Sequence, residues 1–264
     1  MSTKDIRDLI HFFGIEESNL LGSIANLGED YFLIHNLDIL YQSCTRLKPL
    51  DDKKLKIPLF LYLIVHGELY NAISSYLRIH KSISFRCMRS ALDCAFTSYY
   101  LLKKPDKIDV YLSKLTEDND KELEKEWKGT FLNIKKTIKK DINNFPLAKG
   151  LPEIHEFCSI YSHSDALGIL HRYHDDKEKS MLQAKYFDYE NTHDDFQRWL
   201  GRVLVTFFKI FLIYWQEVFM QRAELQLPAI EGKIREFQKR LKTYTEKYPF
   251  VAAEEDKVSE QISG

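Results

Sequence analysis

Residues 159–176 concentrate the side chains able to do chemistry, with three histidines, three aspartates, three serines and two tyrosines in eighteen positions. Ser159 and His163 stand four apart, so on a helix they share a face. A neutral imidazole there can take a proton from a hydroxyl near neutral pH. Tyr161 and His171 flank that pair as candidate ligand contacts. No third residue at recognisable spacing orients His163 as a nucleophilic triad requires, and the alternative is a helix-terminal Ser and His that satisfy backbone groups. His163, Asp165, His171 and His174 are also metal-ligand types. Their histidine spacings are three and eight rather than the four that puts two ligands on one helix face, and no HExxH or paired-Cys pattern accompanies them. The expectation is therefore no metal and no cofactor, with Asp175 and Asp176 as turn residues.

A second polar group lies upstream. Arg86, Arg89, Asp93 and Thr97 recur at steps of three and four. On a solvated face, an Arg–Asp pair one turn apart contributes about 0.2–0.5 kcal/mol at best, and the basic-first order is the weaker one. Turned inward, Arg89 is an anion clamp for phosphate or carboxylate, oriented by Asp93, with Arg86 beside it. Spacing alone leaves both readings open.

The elements that must position these residues are helices. Glycine and proline supply only 17 of 264 residues, well under the usual share of about 12%, which argues for long helices and few loops. Residues 3–13 predict a short amphipathic helix ending near Gly14. From Ile24 the apolar positions Leu27, Tyr31, Ile34, Leu37, Tyr41 and Cys44 follow at steps of three or four, a helical stripe. Pro58 sits near the start of a helix that reaches Ile79 and is apolar nearly all round in its first half. Ser82 or Ser84 caps the next, 84–103, which stops before Pro105. Residues 118–140 form a charged surface helix, acidic first and basic later. Another starts at Pro152 and carries Ile154, Phe157 and Tyr161 inward. A small hairpin fits 169–187. Thr192 with Asp195 opens a long helix that ends near Leu225. The last helix starts around Pro228, with Ile230, Ile234, Phe237, Leu241 and Tyr244 at seam spacing.

These elements predict an all-α, antiparallel multi-helix bundle over 1–225, a helical extension over 228–248 and a disordered tail over 252–264. The seam at 230–244 either docks on the bundle or joins a second copy, the former being favoured with only two heptads. Stretches 57–65 and 203–220 are apolar but too short or too interrupted by polar residues to span a bilayer, so no membrane is expected. A net charge of −1 excludes a globally basic nucleic-acid binder, though not a local patch. Lys135, Lys136, Lys139 and Lys140, and the basic residues of 233–242, are read as solvated faces. Cys44, Cys87, Cys94 and Cys158 are scattered, no leader pattern opens the sequence, and the expected setting is a reduced cytoplasm.

Arg89-Ser90-Ala91-Leu92-Asp93 after a buried helix, followed some seventy residues later by Ser159-x-x-x-His163, resembles bacterial all-helical families of unknown function. Those families are loosely similar to the HEPN superfamily of nucleotide-binding helical bundles, which includes metal-independent ribonucleases of toxin and phage-defence systems. The resemblance covers roughly residues 55–220. It implies RNA or a nucleotide as ligand, His163 as general base on a ribose 2′-hydroxyl, Arg89 stabilising phosphate charge, and Asp93 orienting Arg89. Ser159 and His171 become secondary contacts. HEPN ribonucleases place the Arg and His on one helix with four to six residues between, whereas here they come from separate helices. The rival class is a non-enzymatic helical interaction protein forming a homo- or hetero-oligomer.

Overall fold

The computed structural model describes residues 6, 8–45, 53–112, 125–126, 128–130, 134, 136, 138, 140–141, 146–162, 173–176, 181–184, 187–188, 192–222, 225 and 227–249. Tyr161, Ser162 and the two strands are described in their backbone only. The order is α1 (Leu9–Leu27), α2 (Tyr31–Ser43), α3 (Lys53–Leu77), α4 (Lys81–Lys103), α5 (Ile108–Leu112), α6 (Leu151–Ser162), β1 (Tyr173–Asp176), β2 (Met181–Ala184), α7 (His193–Glu217) and α8 (Leu227–Lys247). The two strands form an antiparallel hairpin, Tyr173 opposite Ala184. The rest is an all-α bundle, as the periodicity predicts.

Four boundaries differ from the sequence reading, each for a local reason. α1 does not stop at Gly14; it starts at Leu9, where the Asp8 carboxylate accepts from the His11 N–H at 2.8 Å, and runs on to Leu27. The stripe through Tyr31 is broken at Gly28, whose φ of 53° lies in the region that favours glycine. Ser82 and Ser84 lie inside α4 rather than before it. The helix opens after His80 without a side-chain cap, and the Ser82 N–H finds the Asp188 carboxylate at 2.9 Å, over a hundred positions along the chain. α7 ends at Glu217, followed by a short 3-10 turn, and not near Leu225. Its start does follow the sequence, with the Thr192 hydroxyl accepting from the Asp195 N–H at 3.1 Å. The described residues of 118–140 are helical, and the tail 252–264 lies outside the described residues.

The core centres on α7. Leu200, Val203, Leu204, Phe207, Ile210, Phe211, Ile213 and Tyr214 are all essentially inaccessible. α4 lies against α3, α6 and α7, while α2 and α8 cover another side of α7. A helix enclosed this way still has backbone carbonyls with a spare lone pair, and tyrosine hydroxyls use them. Tyr41 of α2 donates to the Phe207 carbonyl, Tyr76 of α3 to the Phe196 carbonyl, and Tyr244 of α8 to the Gln197 carbonyl, each at 2.8 Å. Tyr214 meets Ser98 of α4 at 2.6 Å. The seam residues Ile230, Ile234, Phe237, Leu241 and Tyr244 are buried on this same bundle, so the extension is docked. Close approach at that contact needs Gly201, where an added Cβ would sit 3.0 Å from the Tyr244 ring.

Two predictions follow from this packing. Gly201→Ala gains up to about 1 kcal/mol in helix propensity, but it must displace a ring pinned at its hydroxyl, an overpacking cost of about 1–3 kcal/mol. The expected net effect is a lower Tm, measured by circular dichroism, and a rise in Tm contradicts the tight α7–α8 contact. The second concerns alkaline pH. Burial is the first cause that pushes the Cys44, Cys87, Cys94 and Cys158 thiols up to about 12, against an ordinary 9.0. Burial likewise raises Tyr41 and Tyr62. Because the folded values lie above the unfolded ones, the unfolded chain releases protons first as pH climbs past about 9. The stabilisation is complete below about 9 and is lost toward about 12. Urea midpoints measured across that range should fall steadily; a flat profile contradicts the burial of these groups.

Candidate functional site

The chemistry-bearing side chains meet at the seam between α4 and α6, with α7 behind. Asp93 and Arg89 sit one turn apart on α4, their nearest charged atoms 3.8 Å apart. From α6, His155 brings Nε2 within 2.7 Å of the Asp93 Oδ1. His155 is only 1% exposed while the Asp93 side chain is 39% exposed, so the imidazole lies beneath the carboxylate and Asp93 looks outward. An ionised carboxylate only accepts, so Nε2 carries the shared proton and donates. The other nitrogen, Nδ1, is buried and has no hydrogen-bond partner among the described residues. The Phe96 ring stands 5.8 Å away. One carboxylate oxygen is thus tied to a buried donor and the other faces the guanidinium.

The local sequence explains the arrangement. Leu151, His155 and Cys158 recur at helical steps and form the buried face of α6. Ile154 and Phe157, expected to point inward, are only half-buried; the helix is rotated about one position from the predicted face. Phe157 instead joins a stack at the rim, 5.6 Å from Trp199 and nearly parallel to it. Arg202 lies 4.2 Å over Phe157, and Lys81 lies 5.0 Å over Trp199. These are cation–π distances that bring positive charge onto an aromatic surface. Burial pushes the Cys158 thiol up to about 12, opposed by the positive fields of Arg202 and Arg89. Both guanidiniums therefore act on one thiol through their fields. Cys94, raised to about 12 by burial and then by Asp93 and Glu68, stays protonated as well. Neither is a thiolate nucleophile near neutral pH.

The residues singled out from the sequence have separate fates. Arg89, Asp93 and Ser159 come to the same seam. The Ser159 hydroxyl donates to the His155 carbonyl at 2.8 Å, which is a backbone contact within its own helix. Arg86 lies one turn before Arg89 and is exposed. Tyr161 occupies the last turn of α6, described in its backbone alone. His163, Asp165 and His171 lie outside the described residues, and His174 has only its backbone described, in β1. His155, Cys158 and Arg202 were missed. His155 precedes Ser159 by one turn, as His163 follows it, so the same spacing argument points equally to it. No family model, curated protein or solved structure matches this chain.

The buried imidazole makes the seam sensitive to its partner. Asp93→Ala strips the buried His155 ring of its acceptor, an expected cost of about 1–3 kcal/mol. Asp93→Asn keeps an oxygen that can accept the Nε2–H and should recover most of that loss. Equal urea midpoints for the alanine variant and the parent protein contradict the contact.

Proposed function

We propose that this protein binds the phosphate of an RNA or nucleotide at the α4–α6 seam, as an HEPN-like helical protein of a bacterial defence or toxin system. One observation carries the reading: Asp93, anchored by His155 at 2.7 Å, stands 3.8 Å from Arg89, so the guanidinium is oriented at the rim by a fixed carboxylate. A guanidinium set beside a fixed carboxylate is the planar, permanently charged group that suits a phosphate oxygen pair. Arg202 adds a second positive charge, whose field reaches Cys158 as that of Arg89 does. Aromatic rings under cations, Phe157 under Arg202 and Trp199 under Lys81, suit a ligand with flat bases as well as charge.

In the catalytic version of this proposal His163 is the general base on a ribose 2′-hydroxyl and Arg89 stabilises charge on the phosphate. Asp93 is then a positioning residue, and His155 positions Asp93. Ser159, Tyr161 and His171 are contacts along the end of α6 and beyond. Binding of a single-stranded RNA oligonucleotide, followed by fluorescence anisotropy at several salt concentrations, tests the first half. Arg89→Ala should weaken binding roughly tenfold and lower the salt slope by about one. A ribonuclease and growth-toxicity assay tests the second, where His163→Ala should abolish activity and leave RNA affinity in place. Affinity and toxicity that survive both substitutions overturn the proposal.

A further inference from the structure

A cleft of about 340 Å³ opens where α1, α2 and α3 meet, at the lower end of the size range of small-molecule sites. Leu69, Ile73 and Leu77 of α3 line it as buried residues, and Leu20 and Ile24 of α1 with Ile34 of α2 line it half-buried. From Leu69 to Arg78 it follows α3 for about 13 Å. That volume spread over that length leaves a cross-section far below that of a helix, which is about 10 Å across. The slot suits a single alkyl chain.

Its two ends carry opposite charge. At the Tyr70 end stands Asp38, whose carboxylate already accepts from His66 Nε2 at 2.8 Å, the Tyr70 hydroxyl at 2.7 Å and Gln42 Nε2 at 2.7 Å. At the other end stands Arg78, half-buried just past the last residue of α3. Its Nη1 donates to the hydroxyl and the carbonyl of Ser74. That contact complements the helix C-terminus, but it occupies only one of the three nitrogens. Nη2 and Nε have no hydrogen-bond partner among the described residues, and no described carboxylate pairs with this guanidinium. Arg89, Arg198, Arg235 and Arg240 each have such a carboxylate. A partly desolvated guanidinium that lacks one is costly until an anion reaches it.

We infer that the cleft binds a medium-chain aliphatic carboxylate, with its head group on Arg78 and its chain along α3. Arg78 donates to one carboxylate oxygen and the Ser74 hydroxyl to the other. The Ser74 oxygen accepts from Arg78, and its own proton has no acceptor among the described residues. One free guanidinium edge and one hydroxyl match two oxygens, whereas a phosphate group asks for more donors. The direction is fixed by charge, since a head group at the far end would meet the Asp38 carboxylate. These residues belong to other helices than the α4–α6 seam, so this site neither needs nor replaces the phosphate site proposed there.

Isothermal titration calorimetry of the full chain with sodium hexanoate, octanoate and decanoate, below micelle-forming concentrations, tests the inference. Each added methylene should tighten binding roughly threefold to fourfold. Decanol, which has the same chain and no charge, should bind about tenfold more weakly than decanoate. Arg78→Gln should bring decanoate down to the level of decanol and leave decanol itself unchanged, and Ser74→Ala should weaken decanoate about threefold. Ile24→Trp fills the cleft and should weaken both ligands at least tenfold while Tm holds or rises. No binding by the parent protein overturns the inference, as does an affinity that is flat along the chain-length series or equal for decanoate and decanol. Decanoate binding that survives Arg78→Gln or Ile24→Trp overturns it too. Binding that appears only after Glu254→Gln, Glu255→Gln and Asp256→Asn are combined overturns it in favour of the chain's own acidic tail as the occupant.

Discussion

The bundle depends on hydroxyl-to-carbonyl contacts made around one enclosed helix. An aliphatic helix face slides and rotates against its neighbours at small energetic cost, because one aliphatic contact resembles the next. Tyr41, Tyr76 and Tyr244 remove that freedom, each placing its hydroxyl on a particular carbonyl of α7 from a different helix. Moving any of them by one residue leaves a buried phenol without a partner, which costs more than the contact itself contributes. Tyr62, in turn, donates to the Tyr41 carbonyl at 2.8 Å and stacks on its ring, extending the register from α2 to α3.

The α4–α6 seam is built by a second polar device that works in the same way. Among the described residues three histidines are buried or nearly so, and each meets a carboxylate from a different element: His66 with Asp38, His80 with Glu16, and His155 with Asp93. In each pair the imidazole fixes where two helices cross, and the carboxylate stays closer to water. At the seam this has a chemical consequence. Ser98 and Tyr214 register α4 on α7, His155 registers α6 on α4, and the positive fields of Arg89 and Arg202 both reach Cys158. The guanidiniums owe their placement to groups that never reach the surface.

Helix positions were legible in the sequence wherever a pattern was local. The seam of α8, the Thr192 cap and the Arg89–Asp93 pair are all read from residues one turn apart, and all stand in the structure. What was not legible came from distant partners. The cap of α4 is supplied by Asp188, so no inspection of residues 80–84 could find it. Gly28 breaks a stripe whose apolar spacing continues without a fault on either side, and only its positive φ distinguishes it from a glycine inside a helix.

α6 shows why the site was half found. Its sequence carries two interleaved stripes, Ile154–Phe157–Tyr161 and Leu151–His155–Cys158, about 100° apart. Hydrophobicity favours the first as the buried face. The structure chooses the second, because Phe157 gains stacking on Trp199 and cover from Arg202 at the rim, whereas His155 has an acceptor waiting at Asp93. A histidine turned inward needs a carboxylate, and a carboxylate at the rim needs a donor behind it to hold it beside an arginine. The two requirements meet in one contact. A polar residue inside an apolar stripe, facing an acidic residue on a neighbouring helix, is therefore the signal that points to His155. Neither half of that signal can be read until the two helices are known to touch.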